Sequence, residues 1–233
     1  MRTKLSEGEE ELRFLDQLAR ATGRRKFLQW SGLTIGVVAL GCSDDDSPGP
    51  GAEDVDLGSG DTGVLNYAYA LEQLEAAFYT AVVASPYAGV TAAETAMLTD
   101  IRNHEVIHRD FFAGALGSAA IPALEVTFAG VNLSDRTSVL AAARTFEDLG
   151  VSAYNGVGQL LTTPANLVNA GRIVSVEARH AAAIRDLIVT NSFAASDVVN
   201  ANGLDVVRTP TQVLQLADPY ITTTITASGL PTA

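Results

Sequence analysis

Apolar side chains recur at helical spacing in four long segments of this chain and in one short segment near its end. Thr91 and Glu94 form a capping box that predicts the start of the second helix. Ser134 or Asp135 can cap the third, and Pro164 predicts the first turn of the fourth. The predicted helices cover residues 64–83, 91–113, 135–161, 164–188 and 210–217.

The lengths of the connections predict how these helices are arranged. The first and second helices are joined by a short link, as are the third and fourth, so each pair should form an antiparallel hairpin. Residues 115–133 form a long link that contains Pro122 and Gly130 and can run the length of a helix of about 30 Å. We therefore expect an all-α four-helix bundle of two hairpins joined by a crossover, plus a short C-terminal helix. An up-down bundle with a mobile loop is the alternative.

The charge of the chain is unevenly distributed. Of the 233 residues, 47% are hydrophobic and 18% are charged, which is ordinary for a globular protein. Residues 1–41 carry seven basic and five acidic side chains, whereas the rest carries 22 acidic and 8 basic ones. Phosphate groups repel so acidic a domain, so we expect no binding of nucleic acid.

Residues 1–42 have the pattern of an export signal. Arg24 and Arg25 precede an apolar run, residues 30–40, that is too short for a permanent transmembrane helix. The paired arginines resemble twin-arginine signals, which export folded proteins. Cys42, the one cysteine, follows small residues as in a lipoprotein processing box, so we expect it to be lipidated. The protein would then be lipid-anchored in the cell envelope, on the periplasmic face or at the cell surface.

The sequence predicts two further parts after the signal. Residues 43–62 are rich in Gly, Pro, Ser and Asp, so we expect a disordered acidic tether there. Residues 63–233 would form the helical domain, and the polar segment 190–233 would either drape over the bundle or bind a partner. Because a membrane tether is unsuited to a closed shell, we expect a monomer or dimer rather than a cage.

Two of the three histidines occur in the same motif. Glu105-x-x-His108 lies on the predicted second helix, and Glu177-x-x-His180 lies on the fourth. Residues three apart lie about 60° around a helix, so each glutamate and its histidine can converge on one point. With one carboxylate from each of the other two helices, this is the ligand set of carboxylate-bridged dimetal bundles.

Glu72 and Glu147 are the candidates on the first and third helices. Tyr79 and Tyr154 follow them by seven residues, almost two turns, so each pair shares a stripe. The two glutamates of each half are 33 and 30 residues apart, which indicates an internal duplication. By this pseudo-twofold relation, Tyr79 should donate a hydrogen bond to Glu147 and orient it, and Tyr154 should do the same for Glu72.

Charge explains why this pattern predicts metal. Four carboxylates would be costly to bury alone, whereas two divalent cations supply the four positive charges that balance them. Glutamate oxygens and histidine nitrogens suit iron or manganese better than copper(I), so the expected cofactors are two iron or manganese ions. The expected ligands are Glu72, Glu105, His108, Glu147, Glu177 and His180.

Other residues near these motifs have simpler expected roles. A lone glutamate on a helix is usually solvated, which is our expectation for Glu94 and Glu125. Glu75 is either solvated, an alternative ligand on the first helix, or an extra acid beside the site. His104 is expected at the surface or beside a ligand, and Ile107 is expected to make the metal-facing surface apolar.

The segments LEQLEAAFY, NHEVIHRDFF, TFEDLGVSAY and VEARH resemble the helix signatures of the ferritin-like domain family. The resemblance covers roughly residues 60–220 and is to the branch that includes desiccation-related plant proteins and bacterial exported proteins. It implies a di-iron-type bundle with the six ligands named above, but no settled reaction.

Two hypotheses for function follow. The first is an oxidoreductase whose metal pair reacts with dioxygen or peroxide, as a ferroxidase or with catalase-like activity. The second is a non-catalytic envelope stress-protection protein with a structural or vestigial metal site. Solvent access to the metal pair distinguishes them, because full occlusion favours the structural role.

Overall fold

The computed structural model describes residues 54–231, and most of them are helical. The helices are α1 (Gly60–Ala84), α2 (Ala92–Leu116), α3 (Arg136–Val157), α4 (Pro164–Ile188) and α5 (Pro210–Ala217). Short 3-10 turns lie at Gly117–Ala119, Gly158–Leu160 and Asp218–Tyr220. Two-residue strands, β1 (Val55–Asp56) and β2 (Ile225–Thr226), pair in parallel. The predicted all-α class with a short C-terminal helix is confirmed.

The four long helices pack as two hairpins. α1 packs along α2, and α3 packs along α4, while α1 and α3 also touch each other. The largest fully buried side chains of the core include Phe78, Phe146 and Ile184, which come from three different helices. The predicted four-helix bundle of two hairpins is therefore confirmed.

The long link between α2 and α3 is fixed along α1. Asn66 and Gln73 are buried polar residues of α1, seven positions apart on one stripe. Asn66 donates a hydrogen bond to the carbonyl of Ala119 and accepts one from the backbone N–H of Ile121. Gln73 accepts one from the N–H of Leu124 at 2.8 Å. These bonds satisfy buried backbone groups and hold the link on the bundle as a crossover, not as a mobile loop.

Residues 54–62 correct the tether that was predicted over residues 43–62. They contain β1 and the first turn of α1, which begins four residues earlier than predicted, and Leu57 is fully buried. Gly63 permits this start, because a Cβ there would lie 2.7 Å from the carbonyl oxygen of Gly58. The close approach depends on tertiary packing, which helical periodicity does not reveal.

The segment after α4 drapes over the bundle, which is one of the two alternatives that the sequence left open. α5 packs on α3 and buries Val213 and Ala217. Before it, the backbone N–H of Arg208 donates to the carbonyl of Ser152, and its guanidinium donates to the Ser152 hydroxyl. β2 then pairs with β1, so the described tail is tied to the start of the domain.

Arg24, Arg25 and Cys42 lie outside the described residues, and so do residues 43–53. The export signal, the lipid anchor and the first part of the tether therefore stay predictions. Within residues 54–231, no helix is both long enough and apolar enough to cross a membrane.

Candidate metal centre

Each long helix brings one carboxylate to the centre of the bundle. These four carboxylates are completely buried and belong to Glu72, Glu105, Glu147 and Glu177. His108 on α2 and His180 on α4 join them and are only 8% and 5% exposed. The six residues predicted from the sequence thus meet in one place, although their role as ligands stays a prediction.

The six side chains form two overlapping groups, each able to hold one metal ion. One group comprises Glu72, Glu105, His108 and Glu177, and the other comprises Glu105, Glu147, Glu177 and His180. In each group, one ligand atom from every residue lies within 4.8 Å of the others. Glu105 and Glu177 belong to both groups, so they are placed to bridge two ions.

Many atoms of this cluster lack hydrogen bonds. The Nδ1 of His108 lies 2.9 Å from Glu177 Oε1, and the Nδ1 of His180 lies 2.8 Å from Glu105 Oε1. Neither contact has the alignment of a hydrogen bond, and all four atoms are buried without a partner. Buried polar atoms normally have partners, so such a cluster fits the coordination of cations.

The oxygens of the four glutamates divide into two kinds. Oε1 of Glu72 accepts a 2.5 Å hydrogen bond from the Tyr154 hydroxyl, and Oε1 of Glu147 accepts one of 2.5 Å from Tyr79. This is the pairing expected from the duplication. Among residues 54–231, the Oε2 atoms of these two glutamates have no hydrogen-bond partner, and Glu105 and Glu177 have none at either oxygen. Glu72 and Glu147, which each belong to one group, can thus offer one oxygen each to a metal ion. Glu105 and Glu177, which belong to both groups, can offer two each.

The charges of the cluster depend on one another. Burial raises the pKa of Glu72 to about 7 and raises that of Glu177 well above its usual range. Burial opposes the charged forms of His180 and Glu105. Contact with Glu105 and Glu147 nevertheless raises the pKa of His180 to about 10. Contact with His108 and His180 lowers the pKa of Glu105. Without metal, these shifts favour protons on part of the cluster, and a metal ion that bound there would displace them.

Glu75 is an additional buried acid beside the centre. Its carboxylate lies against α3, where a Cβ at Gly150 would be 3.0 Å from Glu75 Oε1 and 3.6 Å from Glu177 Oε2. Burial and the neighbouring carboxylates raise its pKa well above the usual range. The expectation that Glu75 is solvated is wrong, and Glu72 rather than Glu75 belongs to a metal-binding group.

Two other expectations also need correction. Glu94 is buried rather than solvated, because it closes the capping box of α2 and accepts a hydrogen bond from Arg136. Ile107 is 61% exposed, so it does not make the metal-facing surface apolar. It precedes His108 directly and therefore points about 100° away from it. Glu125 is exposed as expected.

His104 lies where it was expected, at the surface and beside a candidate ligand, whereas sequence reasoning predicted neither its contact with His180 nor the part played by Gly150. His104 is exposed, yet its Nδ1 lies 2.9 Å from Nε2 of His180. Its position directly before Glu105 gave no sign of this contact with another hairpin. Gly150 makes room for the Glu75 carboxylate, and a glycine inside a predicted helix was the available signal.

Comparison with known proteins bears on this arrangement. A search of curated proteins finds no match to the chain. The family model of the ferritin-like domain matches residues 60–190, which is more than half of the chain and includes all six clustered residues. The chain belongs to the ferritin-like domain family.

Proposed function

We propose that this protein binds a dinuclear iron or manganese centre and acts as an oxidoreductase on dioxygen or peroxide. The proposal is carried by the difference between buried glutamate oxygens that accept a hydrogen bond and those that have no partner. Glu105 and Glu177 have two unpartnered oxygens each, whereas Glu72 and Glu147 have one each. With the two imidazoles, this donor set fits a pair of bridged ions.

The protein's own residues would hold and shield such a pair. A pair of redox-active ions supplies two-electron exchange with a small oxidant. Glu105 and Glu177 would fix the spacing of the ions, and the hydroxyls of Tyr79 and Tyr154 would fix the terminal carboxylates. The side chain of His108 is 11% exposed, so a small molecule would approach on its side of the cluster.

The test is metal analysis of the purified full chain, followed by two assays. Iron with Fe(II)-dependent oxygen uptake would support a ferroxidase, and manganese with oxygen evolution from peroxide would support catalase-like activity. Glu105→Gln should lose metal, whereas Glu125→Gln, a matched change at an exposed glutamate, should retain it. Wild-type protein that takes up neither metal would refute the proposal.

A non-catalytic stress-protection role is the second candidate, and the burial of the site favours it. The four carboxylates are fully buried, and the two histidines are nearly so. A metal that serves only the fold would exchange slowly and would react with neither oxidant. Protein that holds two ions per chain, gains stability from them and is inert in both assays would identify this role.

We also propose that the chain is exported in folded form and anchored by lipid at Cys42, with Arg24 and Arg25 as the export signal. The paired arginines, the short apolar run and the one cysteine support this. Replacing both arginines by lysine should stop export, and Cys42→Ser should release exported protein from the membrane fraction. Unchanged export or unchanged membrane attachment would contradict the respective part.

Light scattering should give a monomer or dimer, and a hollow shell would contradict that state.

A further inference from the structure

The third histidine of the chain contacts His180, the histidine of one of the two groups that could hold a metal ion. His104 on α2 approaches His180 on α4, with 2.9 Å between His104 Nδ1 and His180 Nε2. Their ring planes lie within 6° of each other, and the ring centroids are 5.1 Å apart. The other ring nitrogen of His180, Nδ1, faces the carboxylates of Glu105 and Glu147. His180 is therefore held between the centre and an exposed imidazole.

The chemistry of a metal-binding histidine assigns the donor in this contact. An imidazole that binds metal through Nδ1 carries its proton on Nε2, and the partner of that proton fixes the tautomer and the orientation of the ring. His180 Nε2–H would thus donate to His104 Nδ1.

His108, the equivalent of His180 in the other Glu-x-x-His motif, has no such histidine beside it within residues 54–231. His104 lies four residues before His108, and the residue four before His180 is Val176. A valine side chain has no hydrogen-bonding atom. Within residues 54–231, the structure contains no hydrogen bond to Nε2 of His108 that would match the contact between His104 and His180. The ligand sets are symmetric, but the support behind their histidines is not.

We propose that His104 is a positioning residue that makes the two metal positions unequal. The ion held by Glu105, Glu147, Glu177 and His180 binds more tightly, and the ion on the His108 side binds more weakly and exchanges first. This inference rests on the proposed dinuclear centre. The loss of a hydrogen-bonding partner behind a metal ligand typically weakens metal affinity by about 10- to 100-fold.

In the experiment, the metal-free full chain is titrated with Mn(II). Calorimetry measures the heat of each binding step, and electron paramagnetic resonance measures the bound Mn(II). Wild type should bind two ions in two steps, with uncoupled Mn(II) at one equivalent. His104→Val, which makes α2 match α4, should weaken the tighter step by about 10- to 100-fold and bring the steps together. His104→Asn should preserve the tighter step, because its Oδ1 can accept from His180 near the position of Nδ1. Val176→His gives the other half a partner and should tighten the weaker step.

The outcomes separate this inference from the proposed function. Two ions in wild type with unchanged constants in His104→Val would overturn the inference and leave the dinuclear centre standing. A wild-type chain that binds no Mn(II) or Fe(II) would overturn both. If His104→Val misfolds by circular dichroism, Val176→His still decides, since an unchanged weaker step there would overturn the inference.

Discussion

Tyr79 and Tyr154 each donate a hydrogen bond to one oxygen of a buried glutamate. Each bond leaves the other carboxylate oxygen free and fixes its direction. Tyr79→Phe removes the hydrogen bond to Glu147, and Tyr154→Phe removes the one to Glu72. We expect each variant to bind one of its two ions about 10- to 100-fold more weakly, because the freed carboxylate can rotate. Metal titration by calorimetry would measure this as a change in one step.

Tyr67→Phe is the matched control for these variants. Tyr67 is a buried residue of α1 whose hydroxyl has no hydrogen-bond partner among the described residues. Removing that hydroxyl should leave both steps of metal binding unchanged. Equal losses in all three variants would show that the affinity depends on packing in general and not on orientation of the carboxylates.

Metal binding should strengthen as pH rises. In the metal-free protein, burial opposes charge on His108 and His180, but the surrounding carboxylates raise their pKa values to about 12 and about 10. Each ion must then displace at least one proton at neutral pH, so its affinity should rise about tenfold per pH unit. Competition titrations between about pH 6 and pH 8 would measure this slope. A flat profile would mean that the imidazoles are already neutral.

Repetition made the six central residues predictable, whereas the places of their unrepeated neighbours were left open between alternatives. Two copies of Glu-x-x-His, each with a partner Glu-x6-Tyr, mark positions that must converge if the helices form hairpins. Glu75 and His104 occur once each. Their places depend on Gly150 and His180, which lie in the other hairpin. Local spacing carries no information on such contacts between hairpins.

At the scale of elements, Asp61 caps a helix of the opposite hairpin. It lies in the first turn of α1 and accepts hydrogen bonds from the backbone of Thr162 and Thr163 and from the Asn166 side chain. Thr163, the N-cap of α4, makes no capping bond with its own side chain. Asp61 therefore ties the beginning of α4 to the beginning of α1.

Asp61→Asn should lower the free energy of unfolding by about 1 kcal/mol at neutral pH, because both carboxylate oxygens accept hydrogen bonds and an amide nitrogen cannot. The hydrogen bonds from Thr162 and Thr163 lower the pKa of Asp61, so its contribution is present above the unfolded value of about 3.9. It is lost as pH falls through the folded pKa, so wild type and variant should converge in acid. Denaturant unfolding at several pH values would measure this.

Asp100→Asn makes the same charge change at an exposed position of α2. It should leave the free energy of unfolding within about 0.5 kcal/mol of wild type. An equal effect of both substitutions would attribute the loss to net charge rather than to the cap.

The beginnings of most helices could be predicted because their signals are local. Thr91 and Thr209 form the capping boxes of α2 and α5, and Pro164 opens α4 at the predicted residue. The beginning of α1 was misplaced because it depends on the packing of Gly63 against Gly58, which is a tertiary contact. Capping chemistry can be read from a few residues, whereas this contact cannot.

At the scale of the whole molecule, we expect the free energy of unfolding to depend on metal, because the four clustered carboxylates are buried. A ligand that binds only the folded state stabilises it by about 2.7 kcal/mol at a hundredfold excess over its Kd. Removing metal should therefore lower the melting temperature of wild type. Glu105 and Glu177 would have the same bridging role in the proposed centre, but their pKa values are shifted in opposite directions without metal.

This difference predicts unequal effects of the same substitution. Burial and nearby acids raise the pKa of Glu177 and favour its neutral form, so Glu177→Gln removes little charge and should leave metal-free stability within about 1 kcal/mol. Close contact with His108 and His180 overcomes burial and lowers the pKa of Glu105. Glu105→Gln should cost about 3 kcal/mol, because two buried imidazolium groups lose their anion.

Calorimetric melting with and without Mn(II) would measure both effects together. Each variant should lose most of the stabilisation by metal, since each lacks a bridging carboxylate. Only Glu105→Gln should also melt earlier when metal-free. Equal melting temperatures of the two metal-free variants would show that the pKa values of Glu105 and Glu177 do not differ as their surroundings predict. A full response to metal in either variant would show that this carboxylate does not bridge.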